Sequence, residues 1–231
     1  MSRALEKNIP DEYIEEMHGI SDGSNIEYGK ILFLNTLSTM SEKKGCFAFA
    51  FKNIDSQILT FRQADMGRKT DLYKKMILYI VKPHRGFGYA ALLLPGWVDG
   101  ETGMNEKGIT VSQNNIGIKQ DVWNIIPITH LSRCMLQYSE TLDDIERLLD
   151  QQQGYPARLI FASISETAAV FEIANRQKAR IDMKGYFLAV SNHARKIPSR
   201  LLSGNSGKRL SFANEFLSNH MSNLSIVFSI N

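Results

Sequence analysis

Between Ala157 and Asn192 four short segments follow one another, ARLIFASIS, TAAVFEIAN, KARIDMK and YFLAVSN, each rich in β-branched and aromatic residues. The breaks between them are only a few residues long, too short for parallel crossovers, so the four strands pair antiparallel. Two segments with helical apolar spacing precede them: Leu131, Met135 and Tyr138, then Leu142, Ile145, Leu148 and Leu149. Thr141 with Asp144 forms a capping box at the head of the second, and Gly154 closes the pair. Further upstream, CFAFAF alternates with period two, placing Phe47, Phe49 and Phe51 on one face and Cys46, Ala48 and Ala50 on the other. QILTFRQAD is a second strand and KNIDS has turn composition. NEKG, from Asn105 to Gly108, makes a tight turn into a strand through Ile109 and Val111 that ends on Gln113, Asn114 and Asn115. The order β-β, β, α-α, β-β-β-β specifies an α+β layered fold with antiparallel sheets.

The first hairpin carries a constellation of chemical interest. A turn centred near Ile54 sets Cys46 opposite Arg62, with Asp65 just past the strand end. Toward the N-terminus, Pro10 to Met17 is predicted as a short helix closed by Gly19, Asp22-Gly23 marks a turn, and Ile31 to Leu37 is an apolar run that fits either state.

With 231 residues, 43% of them hydrophobic, the chain can bury one sizeable core. There is no run of about 18 apolar residues and no signal-like N-terminus, so a soluble, cytoplasmic protein without a membrane partner is expected. The net charge of +3 comes from 27 basic against 24 acidic residues scattered along the chain, which does not suggest nucleic-acid binding. Two cysteines without a C-x-x-C spacing read as free thiols, with no metal site.

Cys46 is either a small buried hydrophobe at a strand start or a nucleophile whose pKa is lowered by the nearby Arg62. Cys134, beside Met135 on an amphipathic helix, reads as core. A thiol nucleophile needs a base. His193, next to Asn192 at a strand end, is one candidate. The other is the α-amino group of Cys46 itself, freed if the Gly45–Cys46 bond is cut, with a reference pKa of about 8. Glu172, among apolar neighbours, reads as a buried structural carboxylate, and Phe47, Phe87, Tyr89, Trp97 and Trp123 as an apolar pocket or as core.

Gly45-Cys46, RQAD at Arg62 to Asp65, GMNEKGITVSQNN at Gly103 to Asn115, SNH at Ser191 to His193 and SGNSGKRL at Ser203 to Leu210 occur in an order that resembles the N-terminal nucleophile hydrolases. The resemblance is to choloylglycine hydrolase with penicillin V acylase, and most of all to the autoproteolytic penicillin acyltransferase-like branch. It implies a four-layer αββα sandwich, a leader of residues 1–45 and a catalytic domain of residues 46–231 shortened at its C-terminus. Cys46 corresponds to the nucleophile, Asp65 to the contact of its free amine, and Arg62 to the group that tempers the thiol. Asn115, with Asn114 as rival, and Asn192 correspond to oxyanion donors, and Arg209 to a late arginine near the nucleophile. Asn114, His193 and Phe47 are candidates for the substrate pocket. The implied activity is that of a self-cleaving cysteine amidase or acyltransferase without cofactor, acting on a small N-acyl amide, with a homo-oligomer allowed. A degenerate, ligand-binding homologue is the competing reading.

Overall fold

The computed structural model describes residues 2–40, 45–65, 71–116, 118, 125–198 and 205–221. Trp123, Ser203 and Gly204 lie outside them. Three helices come first: α1 (Ser2–Glu6), α2 (Asp11–Ser24) and α3 (Tyr28–Met40). Strands β1 (Cys46–Lys52) and β2 (Ile58–Ala64) form the first hairpin, followed by a 3-10 turn (Asp71–Lys75), β3 (Ile77–Val81), β4 (Tyr89–Leu93), β5 (Thr102–Asn105) and β6 (Thr110–Asn115). Helices α4 (Ile128–Tyr138) and α5 (Leu142–Asp150) lead into β7 (Tyr155–Ile164), β8 (Thr167–Asn175), β9 (Gln177–Asp182), β10 (Phe187–Val190) and α6 (Ser206–Met221).

The strands form two antiparallel sheets, a seven-stranded one running β3 to β9 in sequence order and a three-stranded one ordered β10-β1-β2. Pleat parity builds the layers. On β8, Ala169, Phe171 and Ile173 join Leu131, Met135, Leu136, Ile145 and Leu149 of α4 and α5 in one core. Ala168, Val170 and Ala174 on the opposite face join Ala48 and Ala50 of β1 and Leu188 and Val190 of β10 in a second. The outer face of the small sheet, through Phe47, Phe49, Phe187 and Ala189, packs under Leu210 and Leu217 of α6. The order is therefore helices, sheet, sheet, helix, the expected α+β four-layer sandwich. Strands β7 and β8, covered on both faces, read as near-continuous buried runs.

Helix α2 differs from expectation. Gly19 and Gly23 lie inside it, where an added Cβ would meet nothing within 4 Å, and it ends at Asn25 in the left-handed conformation (φ 55). Isolated glycines weaken a helix without ending it. The apolar run from Ile31 is helical, as part of α3. This N-terminal segment is integral to the packing: Tyr13, Met17, Ile31 and Leu32 form a core with Val98, and Glu16 pairs with Arg133 of α4 at 2.7 Å. The capping box of α5 is present, with the Asp144 main-chain N–H donating to Thr141 Oγ1 at 3.1 Å. No helix among the described residues is long and apolar enough to cross a membrane.

Candidate active site

The hairpin register places Cys46 opposite Ala64 and Arg62 opposite Ala48, two residues from the expected pairing. The cause is the turn. Asn53 and Gln57 close a loop in which Ser56 takes a positive φ of 61, so the turn is centred on Asp55, one residue later than Ile54. A shift of two preserves the face, because side chains alternate with period two. Cys46 and Arg62 therefore still share the inner face as diagonal neighbours, within reach of a long side chain.

Arg62 is held by three partners on and just before strands of the large sheet: Nη1 donates to Thr102 Oγ1 at 2.8 Å, and Nη2 to Glu101 Oε1 at 2.6 Å and to the Gln113 carbonyl at 3.1 Å. Burial pulls its pKa down, and Glu101 and the Cys46 thiol outweigh that and raise it above its ordinary value. The guanidinium thus stands fixed and charged beside Cys46. Behind it, burial and the Glu101 charge push the fully enclosed Asp99 well above the usual carboxylate range.

The main chain around Cys46 is also held. Its N–H donates to Asn192 Oδ1 at 2.8 Å. The same oxygen accepts Arg209 Nη2 at 2.6 Å, and Arg209 Nη1 reaches Asp65 Oδ2 at 3.1 Å. Asp65 returns to the start of the ring, since its main-chain N–H donates to the Gly45 carbonyl at 2.7 Å. Asp65 lies so close to Gly45 that a Cβ there would collide with its carboxylate and come within 3.1 Å of Arg209 Nη1. Gly45, Cys46, Arg62, Asp65, Asn192 and Arg209 are thus one cluster, built from the ends of β1, β2 and β10 and the first turns of α6.

Asn114 and Asn115 separate by face. Asn114 pairs with Leu159, an inter-sheet core residue, and its Nδ2 donates to the Ser191 carbonyl at 3.1 Å, while its Oδ1 is buried without a partner. Asn115 shares a face with Val111 and Gln113 and enters the cluster through its carbonyl, which accepts Asn192 Nδ2 at 2.8 Å. Asn105 is structural: its amide donates to the carbonyls of Leu136 and Ser139 and its Oδ1 accepts the N–H groups of Lys107 and Ile109.

His193 is turned to Ser206. Ser206 Oγ accepts the Asn192 N–H at 2.7 Å and is also hydrogen-bonded to His193 Nδ1 at 2.7 Å. Burial, followed by Arg195, lowers the pKa of His193. Phe47 lies on the face opposite Cys46 and packs under α6, so it does not line a pocket at the thiol. Tyr89 and Trp97 belong to the core on the helical side of the large sheet, and Phe87 sits under Lys107. The apolar surface beside the site lies elsewhere. Strand pairing aligns Ser112, Thr102, Leu92 and Leu78 in one row, and Thr110, Met104, Ala90 and Ile80 in the next. Leu78, Ile80, Leu92 and Met104 are exposed, forming a shelf that starts where Arg62 meets Thr102.

Sequence reading missed Glu101, Thr102 and Ser206. The tight turn at Asn105 to Gly108 was the available signal for the first two, because folding back about it sets Thr102 opposite Ser112, beside Gln113.

The sequence profile of the acyl-coenzyme A:6-aminopenicillanic acid acyl-transferase family matches residues 55–229. The chain belongs to that family. The matched region contains Arg62, Asp65, Asn114, Asn115, Asn192 and Arg209, and Cys46 lies just before it. Among solved structures, an ortholog of N-acylethanolamine-hydrolyzing acid amidase from Caenorhabditis elegans superposes with a TM-score of 0.53 at 17% identity, covering 65% of this chain and 71% of that one. A variant of conjugated bile acid hydrolase from Clostridium perfringens gives 0.50 at 12% identity, covering 74% and 58%. At these identities the two establish the shared fold. An uncharacterized protein of Archaeoglobus fulgidus is 23% identical over 68% of this chain, and the match spans 31% of that relative's length.

Proposed function

We propose that the family member is a self-activating cysteine amidase or acyltransferase that cuts the linear amide of an N-acyl substrate. The observation that carries this reading is the pair of restraints on the Gly45–Cys46 peptide: its carbonyl accepts the Asp65 N–H and its own N–H is held by Asn192, with the thiol beside Arg62. In the first stage Cys46 Sγ attacks the Gly45 carbonyl carbon. Negative charge develops on the carbonyl oxygen, where the Asp65 N–H already points. The C–N bond breaks, the thiol proton passes to the departing Cys46 nitrogen, and residues 1–45 are left as a thioester that water hydrolyses. The leader's buried contacts through Tyr13, Met17 and Leu32 keep it bound after the cut.

In the second stage the freed α-amino group takes the thiol proton, and Asp65 and Asn192 hold that amine as ring members already in place. The acyl carbonyl of the substrate is attacked, with Asn192 and Asn114 as the amide side chains that stabilise the developing oxyanion. Asn114 is preferred to Asn115 because it faces the small sheet. An apolar acyl group extends along the shelf of Leu92 and Leu78. Water completes hydrolysis, and an amine completes transfer. No step requires a metal or an organic cofactor.

The test is the intact mass of purified protein beside Cys46→Ala. Loss of residues 1–45 from the wild type alone, with both fragments eluting together under native conditions, supports the scheme. Two full-length species after prolonged incubation would sink it.

A further inference from the structure

The inner face of β8 reads Ala168, Val170, Glu172, Ala174, a carboxylate set in an apolar face between two sheets. Glu172 is fully buried. A carboxylate withdrawn from water is costly unless its oxygens are hydrogen-bonded. Here Oε1 accepts the main-chain N–H of Arg195 at 2.6 Å, and Oε2 accepts those of Lys196 at 2.7 Å and Ile197 at 3.0 Å. Three consecutive N–H groups converging on one anion form a nest. The nest lies on the loop that leaves β10 after Val190, and begins three residues beyond Asn192.

We propose that Glu172 is a positioning residue: by clamping residues 195–197 it holds Asn192 where Oδ1 meets both the Cys46 N–H and Arg209. The inference rests on the reading of Cys46 as the nucleophile. Asn192 is anchored on its other sides by the bonds from its N–H to Ser206 Oγ and from its Nδ2 to the Asn115 carbonyl. Those bonds orient the side chain locally, whereas Glu172 fixes the path of the chain that carries it. An apolar residue of similar volume would fill the same space and give the loop no direction. A carboxylate facing three donors does both.

The experiment compares Glu172→Gln and Glu172→Asp with the wild-type full chain. Glutamine keeps the volume but turns an amide NH2 toward donors. Self-cleavage is followed by intact mass, turnover with a chromogenic N-acyl anilide, and hydrogen exchange in a Cys46→Ala background that preserves the bond at position 45. In Glu172→Gln the amides of residues 195–197 and of residue 46 should exchange at least about tenfold faster, with α4 and α5 unchanged. Self-cleavage and kcat should fall about 10- to 100-fold with KM within about twofold, the signature of a displaced group. Glu172→Asp, which retains the charge one methylene further back, should be intermediate. The proposal is overturned if the loop amides loosen while residue 46 and both rates stay at the wild-type level. If Glu172→Gln also loosens α4 and α5, the same readouts on Glu172→Asp decide. A wild type that neither cleaves nor turns over removes the proposed function, and the exchange of residue 46 then decides the clamp by itself.

Discussion

Cys46 and Cys134 are both free thiols, the first buried and the second half-buried, and their surroundings differ in kind. Cys134 sits on α4 between two apolar cores, with the Tyr13 hydroxyl at 3.5 Å, and burial first of all pushes its thiol up to about 11. The neighbouring Arg133 is engaged elsewhere, bridged to Glu16 and lying over the rings of Tyr13 and Tyr89. Cys46 stands at a strand end with a fixed guanidinium beside its sulfur and a ring of Asn192, Arg209 and Asp65 around its nitrogen. Burial alone makes an inert thiol. Reactivity requires polar groups, and strand ends of two facing sheets can deliver several to one point while a helix interior cannot.

The sharpest way to test this contrast is to remove each sulfur. Cys46→Ala should abolish self-cleavage and lower amide turnover by at least about 1000-fold. Cys134→Ala should leave both within about twofold and cost about 1–2 kcal/mol in chemical denaturation. A Cys134 variant that stops cleavage would erase the distinction. Next, Arg62→Ala breaks a buried ion pair and should lose about 3–5 kcal/mol of stability. Arg62→Lys retains charge but cannot reach Thr102, Glu101 and Gln113 together, so iodoacetamide labelling of Cys46 should slow about 10- to 100-fold. Unchanged labelling would show that the guanidinium does not tune the thiol.

A third comparison divides the two asparagines. Asn114→Ala should cost about 100- to 1000-fold in kcat, whereas Asn115→Ala, which leaves the main-chain carbonyl in place, should cost less than about threefold. Reversal of that order would assign the oxyanion to Asn115. The smallest effect concerns acid stability. Burial and Arg133 push His130 down to about 3. Since its unfolded pKa is about 6.5, the unfolded state binds more protons between these values, and stability falls as pH drops through that window. His130→Asn should therefore flatten the decline in Tm from about pH 6 to pH 4. Asp99, raised by burial, acts in the opposite direction, favouring the fold as pH falls. An unaltered acid limb in His130→Asn would mean that the imidazole is not buried neutral.

Much of this layout was legible because alternation survives small errors of register. CFAFAF assigns Cys46, Ala48 and Ala50 to one face whichever turn follows, and a slip of two residues leaves Arg62 on that face. Turn geometry was less legible, because the left-handed Ser56 of the displaced turn is not a glycine and carries no compositional mark. Nor could Gly19 and Gly23 be told from terminators, since the difference lies in what packs Tyr13 and Met17. The departure of β10 to pair with β1 is invisible in YFLAVSN, which alternates the same way beside either neighbour. Ser206 joins the site only through that long-range assembly, and it was missed for the same reason.

Gly45 carries one more consequence. Its Cα hydrogens are what allow Asp65 and Arg209 to close around the backbone, so any larger residue there damages the packing whether or not a bond is ever cut. Selection for folding and selection for self-cleavage therefore demand the same residue at position 45. A glycine retained there across descendants of this chain would be no record of activity, and a lineage could lose its chemistry while that position stayed unchanged.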